Sequence, residues 1–413
     1  MKSTAGLALL ALSLCAVAQE PPADPNELLD ALLSGLLGED ADPTGESLQQ
    51  RVAEIGGVTF RTPVSLDYLD QSGLARYLSE LIDSEYPQAV AEADRRTLVA
   101  FDLLAPGIDL RALRSRLLLE NVVGFYDERP GKKRLYAVSS DRSLNAMNRI
   151  VMVHELRHAL QDQYADLHGM LPKSVGDFDD RRFAFMALLE GDATLVMTRY
   201  LETLFPMGGA LSEMSLPDPP VEGAPPVLRD QLVRPYVVGL DFARALERRG
   251  GWSALRDAWS RPPRSTEQVL HPDKFFAGEE PQRVSIAWAP DGGRLLLEGV
   301  LGEAFAGTLL GGDSAANQGW GGDLFRSWDV GSGRTLLVFR STWDSAADEA
   351  EFRSALRARF EASHGPSLEK GPFRVLTRAG WRVAVGGPAG ATALVCSDAP
   401  DVFEAAIAAL AHP

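Results

Sequence analysis

The chain has 413 residues, a length that predicts two domains, or three, of an enzyme-sized globular protein. Its formal net charge is −16 at pH 7, which argues against partners that are themselves negative, namely nucleic acids and anionic membranes. Of the two cysteines, Cys15 lies in a predicted leader and only Cys396 lies beyond it, so we expect no internal disulfide bond.

Residues 1–18 have the pattern of a secretory signal peptide. Lys2 supplies the positive start, residues 6–17 form a short apolar core, and Ala16-Val17-Ala18 matches an A-x-A cleavage site. We therefore expect cleavage after Ala18 and a secreted or periplasmic bacterial protein. A lipoprotein anchored at Cys15 is the less favoured alternative, because a leucine precedes it where a lipobox has a small residue. No later stretch is long and apolar enough to span a bilayer, so we expect no stable membrane insertion.

The next segments predict a linker, helices and a hairpin. Residues 19–48 are rich in proline, aspartate and glutamate around one short apolar patch, which is typical of a linker. Residues 66–104 carry apolar side chains at helical spacing, and we expect helices that pack on the unit that follows. Two β-rich runs, 122–127 and 134–138, flank the pair Pro130-Gly131, so this stretch predicts a β-hairpin.

The stretch 151–161 carries the strongest chemical signal in the chain. His154, Glu155 and His158 form an H-E-x-x-H motif. Residues four apart share one face of a helix, so both imidazoles can reach one metal ion. Glu155 can then take a proton from a water molecule at that ion, which is what zinc-assisted hydrolysis needs. Because apolar residues surround the motif, we expect a buried helix.

A third protein ligand must come from elsewhere in the chain. Gln161 and Tyr164 occupy the positions where metzincins have a glycine and a third histidine, so that pattern is excluded. Glu190 lies on a later helical stripe of apolar residues, where an unpaired carboxylate is costly. Gly191 beside it allows another helix to approach closely. We therefore expect Glu190 to be the third ligand.

Two alternatives to this role of Glu190 remain open in the sequence. His168 competes as a ligand, although a histidine near a helix end is ordinary capping chemistry. Glu190 could instead form a buried ion pair with Arg181 or Arg182, and then no ion would be needed.

An H-E-x-x-H motif followed by a glutamate on a later helix resembles the gluzincin group of zinc metallopeptidases. The strings HELRHALQDQY at 154–164 and LLEGDA at 188–193 are similar to a largely uncharacterised family of secreted bacterial proteins in that group. The resemblance implies a zincin-like fold in which Zn²⁺ is bound by His154, His158 and Glu190. It also implies that Glu155 is the general base and that the hairpin edge binds a substrate strand.

One departure from the gluzincin pattern concerns the residues that orient the histidines. Well-known gluzincins have an aspartate four residues after the ligand glutamate, and this chain has Thr194 there. We expect the nearby Asp192 to face the other way on a helix. Asp162, one turn beyond His158, is the candidate to orient a histidine instead, with a solvated helix acid as the alternative.

A weaker similarity continues through the string STEQVLHP at 265–272. His271 in that string is a candidate catalytic residue, because a histidine outside the motif can donate a hydrogen bond to the oxyanion of a tetrahedral intermediate. The alternative is a structural histidine held before Pro272.

The remaining sequence predicts a loop, further helices and a second domain. Residues 206–235 are rich in proline and glycine and predict a long loop, followed by helices up to Trp259 that Gly250-Gly251 interrupts. From residue 283 short β-rich runs alternate with helical segments, which predicts a C-terminal α+β domain. The β-rich runs are 284–288, 295–297, 335–339, 375, 382–385 and 392–396, and the helical segments are 298–310, 347–360 and 401–410. The glycine-rich stretch 319–323 predicts a tight turn with a buried tryptophan.

The sequence as a whole predicts an α+β protein. We expect a zincin-like catalytic domain at 49–282, with helices around an active-site hairpin, and a smaller α+β domain at 283–413. The expected function is a secreted zinc metallopeptidase that acts on a peptide or protein substrate. The alternative is a non-catalytic, zinc-containing envelope protein that binds a partner through its C-terminal domain. A structural zinc site does not need Glu155, so its presence favours the enzyme.

Overall fold

The computed structural model describes residues 46–144, 146–170, 179–204, 221, 223–312 and 315–412. The predicted signal peptide, its cleavage site, Cys15 and residues 19–45 of the predicted linker lie outside the described residues. Residues 46–48, assigned to the same linker, instead begin a helix, Glu46–Gly56. Helices and strands are mixed, and a β-sheet unit lies at the C-terminal end. The prediction of an α+β fold is confirmed, whereas the zincin-like arrangement and the domain boundaries stay predictions.

A three-stranded sheet lies in the N-terminal half. Its strands are β1 (Leu66–Leu69), β2 (Gly124–Asp127) and β3 (Arg134–Val138), in the order β1-β3-β2. Strands β2 and β3 form the predicted antiparallel hairpin, and β1 pairs in parallel with β3. Residues 66–69, predicted as helix, are therefore β-structure, because pairing with β3 outweighs the local apolar spacing. The helices between β1 and β2 are Gln71–Glu85, Gln88–Ala100 and Leu110–Asn121.

Three helices build the centre of the molecule. We call them the motif helix (Ala146–Ala165), the glutamate helix (Asp180–Leu204) and the long helix (Pro226–Ser260). The motif helix is buried at every position from Val151 to Asp162, as the sequence predicts. The long helix begins inside the predicted 206–235 loop, since proline fits the first turn of a helix, and it has non-helical backbone at Gly250 and Gly251. Shorter helices are Leu167–Met170, Thr266–Leu270 and Pro272–Ala277.

The glutamate helix and the long helix touch backbone to backbone at a pair of glycines. A Cβ atom placed on Gly191 would lie 1.9 Å from the carbonyl oxygen of Gly239. A Cβ atom on Gly239 would lie 2.0 Å from the carbonyl oxygen of Ala187. Neither position has room for a side chain, so the close helix approach predicted from Gly191 is confirmed.

The C-terminal unit is a seven-stranded antiparallel sheet with helices packed against it. The strand order is β4-β5-β6-β10-β9-β8-β7. The strands are β4 (Arg294–Gly299), β5 (Trp320–Asp329), β6 (Thr335–Trp343), β7 (Leu368–Lys370), β8 (Phe373–Arg378), β9 (Trp381–Gly386) and β10 (Thr392–Ser397). The helices of this unit are Gly302–Leu310, Ala346–His364 and Pro400–Leu410.

Three predictions for this unit need correction. Residues 284–288 lie outside the strands, although Ile286 is buried in the core below the sheet. Residues 298–299 end strand β4, and the helix begins only at Gly302. The 319–323 turn runs into β5 through a bulge, where Trp320 is buried as predicted.

The helix Gln88–Ala100 joins the two halves of the protein. Its Arg96 donates to Thr335 Oγ1 over 3.0 Å and to the carbonyl oxygen of Arg334 over 2.7 Å. Arg378 of β8 donates to the carbonyl oxygens of Val99 and Ala100 at the C-terminal end of the helix. Apolar residues 98–101 belong to one core cluster with the inner face of the large sheet. The two halves therefore share a hydrophobic core.

None of the described helices is both long enough and apolar enough to cross a bilayer.

The glycine contact between the two central helices leads to a stability prediction. Gly191→Ala forces the new methyl group into the Gly239 backbone, which cannot move as a side-chain end can. Overpacking typically costs about 1–3 kcal/mol, and we expect at least the upper end of that range in urea unfolding. Gly107→Ala is the matched control, because a Cβ atom there meets nothing within 4 Å. Equal stabilities of the two variants would refute the close packing.

Candidate metal centre

The motif helix and the glutamate helix bring three possible ligands to one point. His154 Nε2 lies 3.0 Å from His158 Nε2 and 3.1 Å from Glu190 Oε2. His158 Nε2 lies 3.4 Å from the same carboxylate oxygen. The three side chains are buried, and together they form a group that could hold a metal ion. The structure thus brings together the three residues that the sequence singles out as ligands.

The size of this triangle fits zinc. Zinc bonds to imidazole nitrogen or carboxylate oxygen are about 2.0–2.2 Å long, so two donors of a tetrahedral site lie about 3.3–3.6 Å apart. The observed edges of 3.0, 3.1 and 3.4 Å are close to that separation. Two nitrogen donors and one oxygen donor also suit zinc better than calcium or magnesium, which prefer all-oxygen sites.

The charges at the site favour a cation between the donors. Burial lowers the pKa of His154. Burial also acts to lower the pKa of His158, but the neighbouring Glu190 carboxylate outweighs it and raises that pKa to about 9. Burial acts to raise the pKa of Glu190, but the charge of His158 and hydrogen bonds from both imidazoles lower it to about 2. Glu190 is therefore ionised at neutral pH and stabilises one positive charge, a proton or a metal ion, among the three side chains.

Glu155 is fixed by the edge of the small sheet. Its Oε2 atom accepts a hydrogen bond of 2.8 Å from the backbone N–H of Tyr126 in β2. Val138 N–H donates to the carbonyl oxygen of Val123, and from this register the backbone of Tyr126 points away from β3, toward the free edge. The Glu155 charge also acts to raise the pKa of His158, three residues further along the motif helix. Glu155 thus connects the helix that carries both histidines to the edge of the small sheet.

Gln161 sets the orientation of the His158 ring. Its side-chain nitrogen donates to Asp192 Oδ2 over 2.8 Å and to the carbonyl oxygen of Leu189 over 3.1 Å. A carboxylate only accepts hydrogen bonds, so the amide oxygen of Gln161 is left to face His158 Nδ1, at 2.8 Å. Nδ1 therefore carries a hydrogen that points at Gln161, and Nε2 is the ring nitrogen that faces His154 and Glu190.

Asp192 is the centre of a buried polar network behind the histidines. Arg157 binds it with two hydrogen bonds of 3.0 and 2.9 Å, and both side chains are fully buried. The indole N–H of Trp259 donates to the same Oδ2 atom over 3.0 Å. The Arg157 guanidinium also lies 4.8 Å above the ring of Trp259. This network holds Gln161, and through it His158, in one orientation.

Two expectations about the orienting acid are therefore wrong. Asp192, expected to face away from the histidines, lies behind them and acts through Gln161. Asp162, the expected orienting residue, instead accepts hydrogen bonds from the Tyr126 hydroxyl, at 2.8 Å, and from Lys133, at 2.9 Å. Thr194, at the position of the gluzincin aspartate, is buried, and its hydroxyl has no hydrogen-bond partner among the described residues.

The other candidate residues lie apart from the cluster. His271 forms an ion pair with Glu303 Oε1 at 2.9 Å, and this hydrogen bond raises the pKa of His271. In the described part of the chain His271 makes no contact with His154, His158 or Glu190, so nothing supports its predicted role as an oxyanion donor. His168 is likewise not part of the group, and Glu190 pairs with the two histidines rather than with Arg181.

Tyr236 of the long helix is a neighbour of the cluster that sequence reasoning missed. Its ring stacks on His154 with 5.7 Å between the ring centres and 24° between the planes. A lone tyrosine after a proline gives no sequence signal for such a contact. The pairing of Arg157 with Asp192 could have been predicted from the sequence, because two opposite charges on buried, apolar helices are stable only when they are paired.

A second group of acids has a different explanation. Glu267, Glu279 and Asp344 also converge closely enough to hold an ion. The ammonium group of Lys274 lies between them, at 2.6 Å from Glu267, 2.9 Å from Glu279 and 2.7 Å from Asp344. The ammonium group already occupies the point where the three carboxylates converge, so a metal ion would have to displace it.

Comparison with known proteins covers only the C-terminal unit. Residues 283–406 match a family described as a domain of unknown function, DUF8575. No curated protein and no solved structure is significantly similar to the chain. The matched residues include the large sheet and none of the residues of the metal cluster.

The buried network behind His158 leads to a second stability prediction. Asp192→Ala leaves the Arg157 charge buried and unpaired, and breaking such a pair costs about 3–5 kcal/mol. We expect a loss of that size in chemical unfolding. Glu54→Ala, which removes a half-exposed partner of Arg51, is the control and should leave the unfolding midpoint nearly unchanged. A mild effect of Asp192→Ala would mean that Arg157 has another partner.

Proposed function

We propose that this protein is a secreted, zinc-dependent metallopeptidase whose leader is removed after Ala18. The observation that carries the proposal is the triangle of His154, His158 and Glu190, whose edges fit a tetrahedral zinc site. The position of Glu155 supports catalysis, because its charge acts on His158 although Glu155 is not one of the three donors. The resemblance of residues 154–164 and 188–193 to gluzincin motifs points the same way.

Each residue has a defined role in this proposal. His154, His158 and Glu190 would hold zinc, which when bound polarises a carbonyl group and lowers the pKa of water toward ~7. Glu155 takes the proton of the attacking water and passes it to the leaving amine. The Tyr126 N–H keeps one oxygen of Glu155 in place during both transfers.

The edge of β2 is the proposed place for the substrate. Among the described strands β2 pairs only with β3, and the backbone groups of Gly124 point to the same side as the Glu155 contact, although all four residues of β2 are buried. A peptide in extended form can add to such an edge through backbone hydrogen bonds, which do not depend on its side chains. This would bring a peptide bond of the substrate beside Glu155.

A non-catalytic zinc protein is the second candidate. The exposed fractions of His154, His158 and Glu190 are only 1 %, 2 % and 1 %, and closed surroundings are typical of structural zinc sites. In that case the C-terminal unit, with its long antiparallel sheet, would bind a partner in the envelope. The two candidates differ in whether Glu155 has a chemical role.

Glu190→Ala tests the ligand assignment. We expect zinc, measured by elemental analysis of purified protein, to fall from about one ion per chain to a small fraction of that value. Thermal stability should fall with it, because metal binding is coupled to folding. Glu120→Ala is the control, since Glu120 is exposed on the helix Leu110–Asn121 and is not one of the three possible ligands. Full zinc content in Glu190→Ala would assign the third ligand to another residue.

Glu155→Gln separates the enzyme from the binding protein. Glutamine keeps the size of the side chain and can still accept from Tyr126, but it cannot act as a base. General-base catalysis typically contributes about 10²–10⁴-fold, so we expect hydrolysis of a casein or peptide substrate to fall by at least ~10²-fold. Zinc content and melting temperature should stay close to wild type, because no ligand is lost.

Two results would contradict this mechanism. Wild-type activity in Glu155→Gln would show that Glu155 takes no part in the reaction. A wild-type protein that holds one zinc ion but cleaves nothing in a broad peptide library would favour the structural role.

A further inference from the structure

A surface groove lies beside the end of the long helix and is not part of the metal cluster. It consists of two cavities of about 720 and 610 Å³. The two cavities are neighbours, because Asp257 and Ser260 line both of them, and we call them together the groove. The first lies between the long helix and the helix Pro272–Ala277, and the second reaches the loop after the helix Glu46–Gly56.

The groove is positive although the whole chain is strongly negative. Six arginines line it, against the two acids Asp257 and Glu280: Arg61, Arg181, Arg249, Arg256, Arg261 and Arg264. This is an excess of four positive charges (six minus two) in a chain whose formal net charge is −16. A concave positive surface on an acidic protein attracts anionic ligands and repels further copies of the protein.

Among the described residues, three of these arginines form an ion pair or lie over an aromatic ring, and three do neither. Arg264 pairs with Glu280 at 3.2 Å, and the guanidinium groups of Arg249 and Arg61 lie over aromatic rings. The other three form no ion pair with a described carboxylate: Arg181, Arg256 and Arg261. The charge of Arg181 also acts on the neighbouring Asp179, whereas those of Arg256 and Arg261 are available to a ligand.

The floor of the groove is apolar. Phe185, Leu246, Pro263, Phe275 and Phe276 line the first cavity between the arginines. Phe275 and Phe276 contact each other edge to face, with ring centres 5.8 Å apart. A small inorganic anion would not use such a floor. A ligand that carries both carboxylates and apolar side chains along an extended chain would use both the floor and the arginines.

We propose that this groove binds an acidic peptide segment and is a docking site for substrates of the proposed peptidase. Only the statement that the bound peptide is a substrate rests on the proposed function, since the binding itself needs no catalysis. Carboxylate side chains of the peptide would pair with Arg181 and Arg261, and apolar side chains would lie against Phe275 and Phe276. Planar guanidinium groups suit carboxylates because they can donate two parallel hydrogen bonds.

The groove also touches the network that orients the metal ligands. Trp259 lines the second cavity, and its indole N–H donates to Asp192 Oδ2. Asp192 in turn holds Gln161, which accepts from His158 Nδ1. A peptide bound in the second cavity would therefore contact Trp259, which is hydrogen-bonded to the network that orients His158.

Direct binding tests this proposal. The probe is a short fluorescent peptide in which glutamate alternates with leucine, and its anisotropy is measured with the full-length Glu155→Gln protein so that it is not cleaved. We expect saturable binding that weakens as salt is raised from about 0.1 to about 0.5 M, because ions screen exposed charges. The double variant Arg181→Glu, Arg261→Glu should bind at least about tenfold more weakly. Arg248→Glu is the control for charge reversal, because Arg248 is an exposed arginine of the long helix that does not line the groove.

Each outcome decides a separate point. No binding, or an equal loss in Arg248→Glu, would overturn the groove as a specific site. Equal binding of a peptide with lysine for glutamate would overturn its acidic preference, and tighter binding of a sulfated oligosaccharide would assign the groove to polysaccharide instead. In wild-type background the double variant should raise KM for acidic peptides and leave KM for neutral peptides unchanged. Binding without any hydrolysis would refute the peptidase and keep the groove.

Discussion

The arrangement of His154, His158 and Glu190 depends on the buried ion pair between Arg157 and Asp192. Two full charges without exposure to water are stable only when each is paired and hydrogen-bonded. Here the carboxylate receives donors from Arg157, Gln161 and Trp259, which come from two different helices. The pair therefore connects the motif helix, the glutamate helix and the end of the long helix at one point. The position of His158 relative to Glu190 follows from that connection.

Close packing and polar pairing act together at this centre. The glycine contact between Gly191 and Gly239 lets the glutamate helix approach the long helix, and Glu190 and Asp192 flank that glycine in the sequence. One of these acids faces the histidines and the other faces Arg157. A short run of three residues thus supplies the third donor, the helix contact and the support of the second histidine.

The sequence predicted the elements that rest on local patterns. The spacing of His154 and His158 placed both rings on one helix face, and the apolar stripe around Glu190 placed that acid on a buried face. The hairpin followed from β-rich runs around a turn. Each of these rests on residues close together in the chain.

The errors arose where distant residues decide the outcome. Leu66–Leu69 became a strand because β3, far along the chain, pairs with it. Asp192 was expected to point away from the histidines. A helical wheel gives the direction of a side chain on its own helix, but it does not show which residue of another helix lies in that direction, and here that residue is Arg157. The ring of Tyr236 against His154 depends on how two helices cross, which local spacing does not encode.

The helix Gln88–Ala100 has a consequence for the order of folding. The carbonyl groups at its C-terminal end are bound by Arg378, a residue 279 positions after Val99 in the chain. Contacts of such long separation form late and slow the folding of a domain. During synthesis the apolar residues of this helix stay exposed until the last sheet strands exist, which invites chaperone binding or aggregation. A chain that stops before the large sheet would therefore lose the partner that buries residues 98–101.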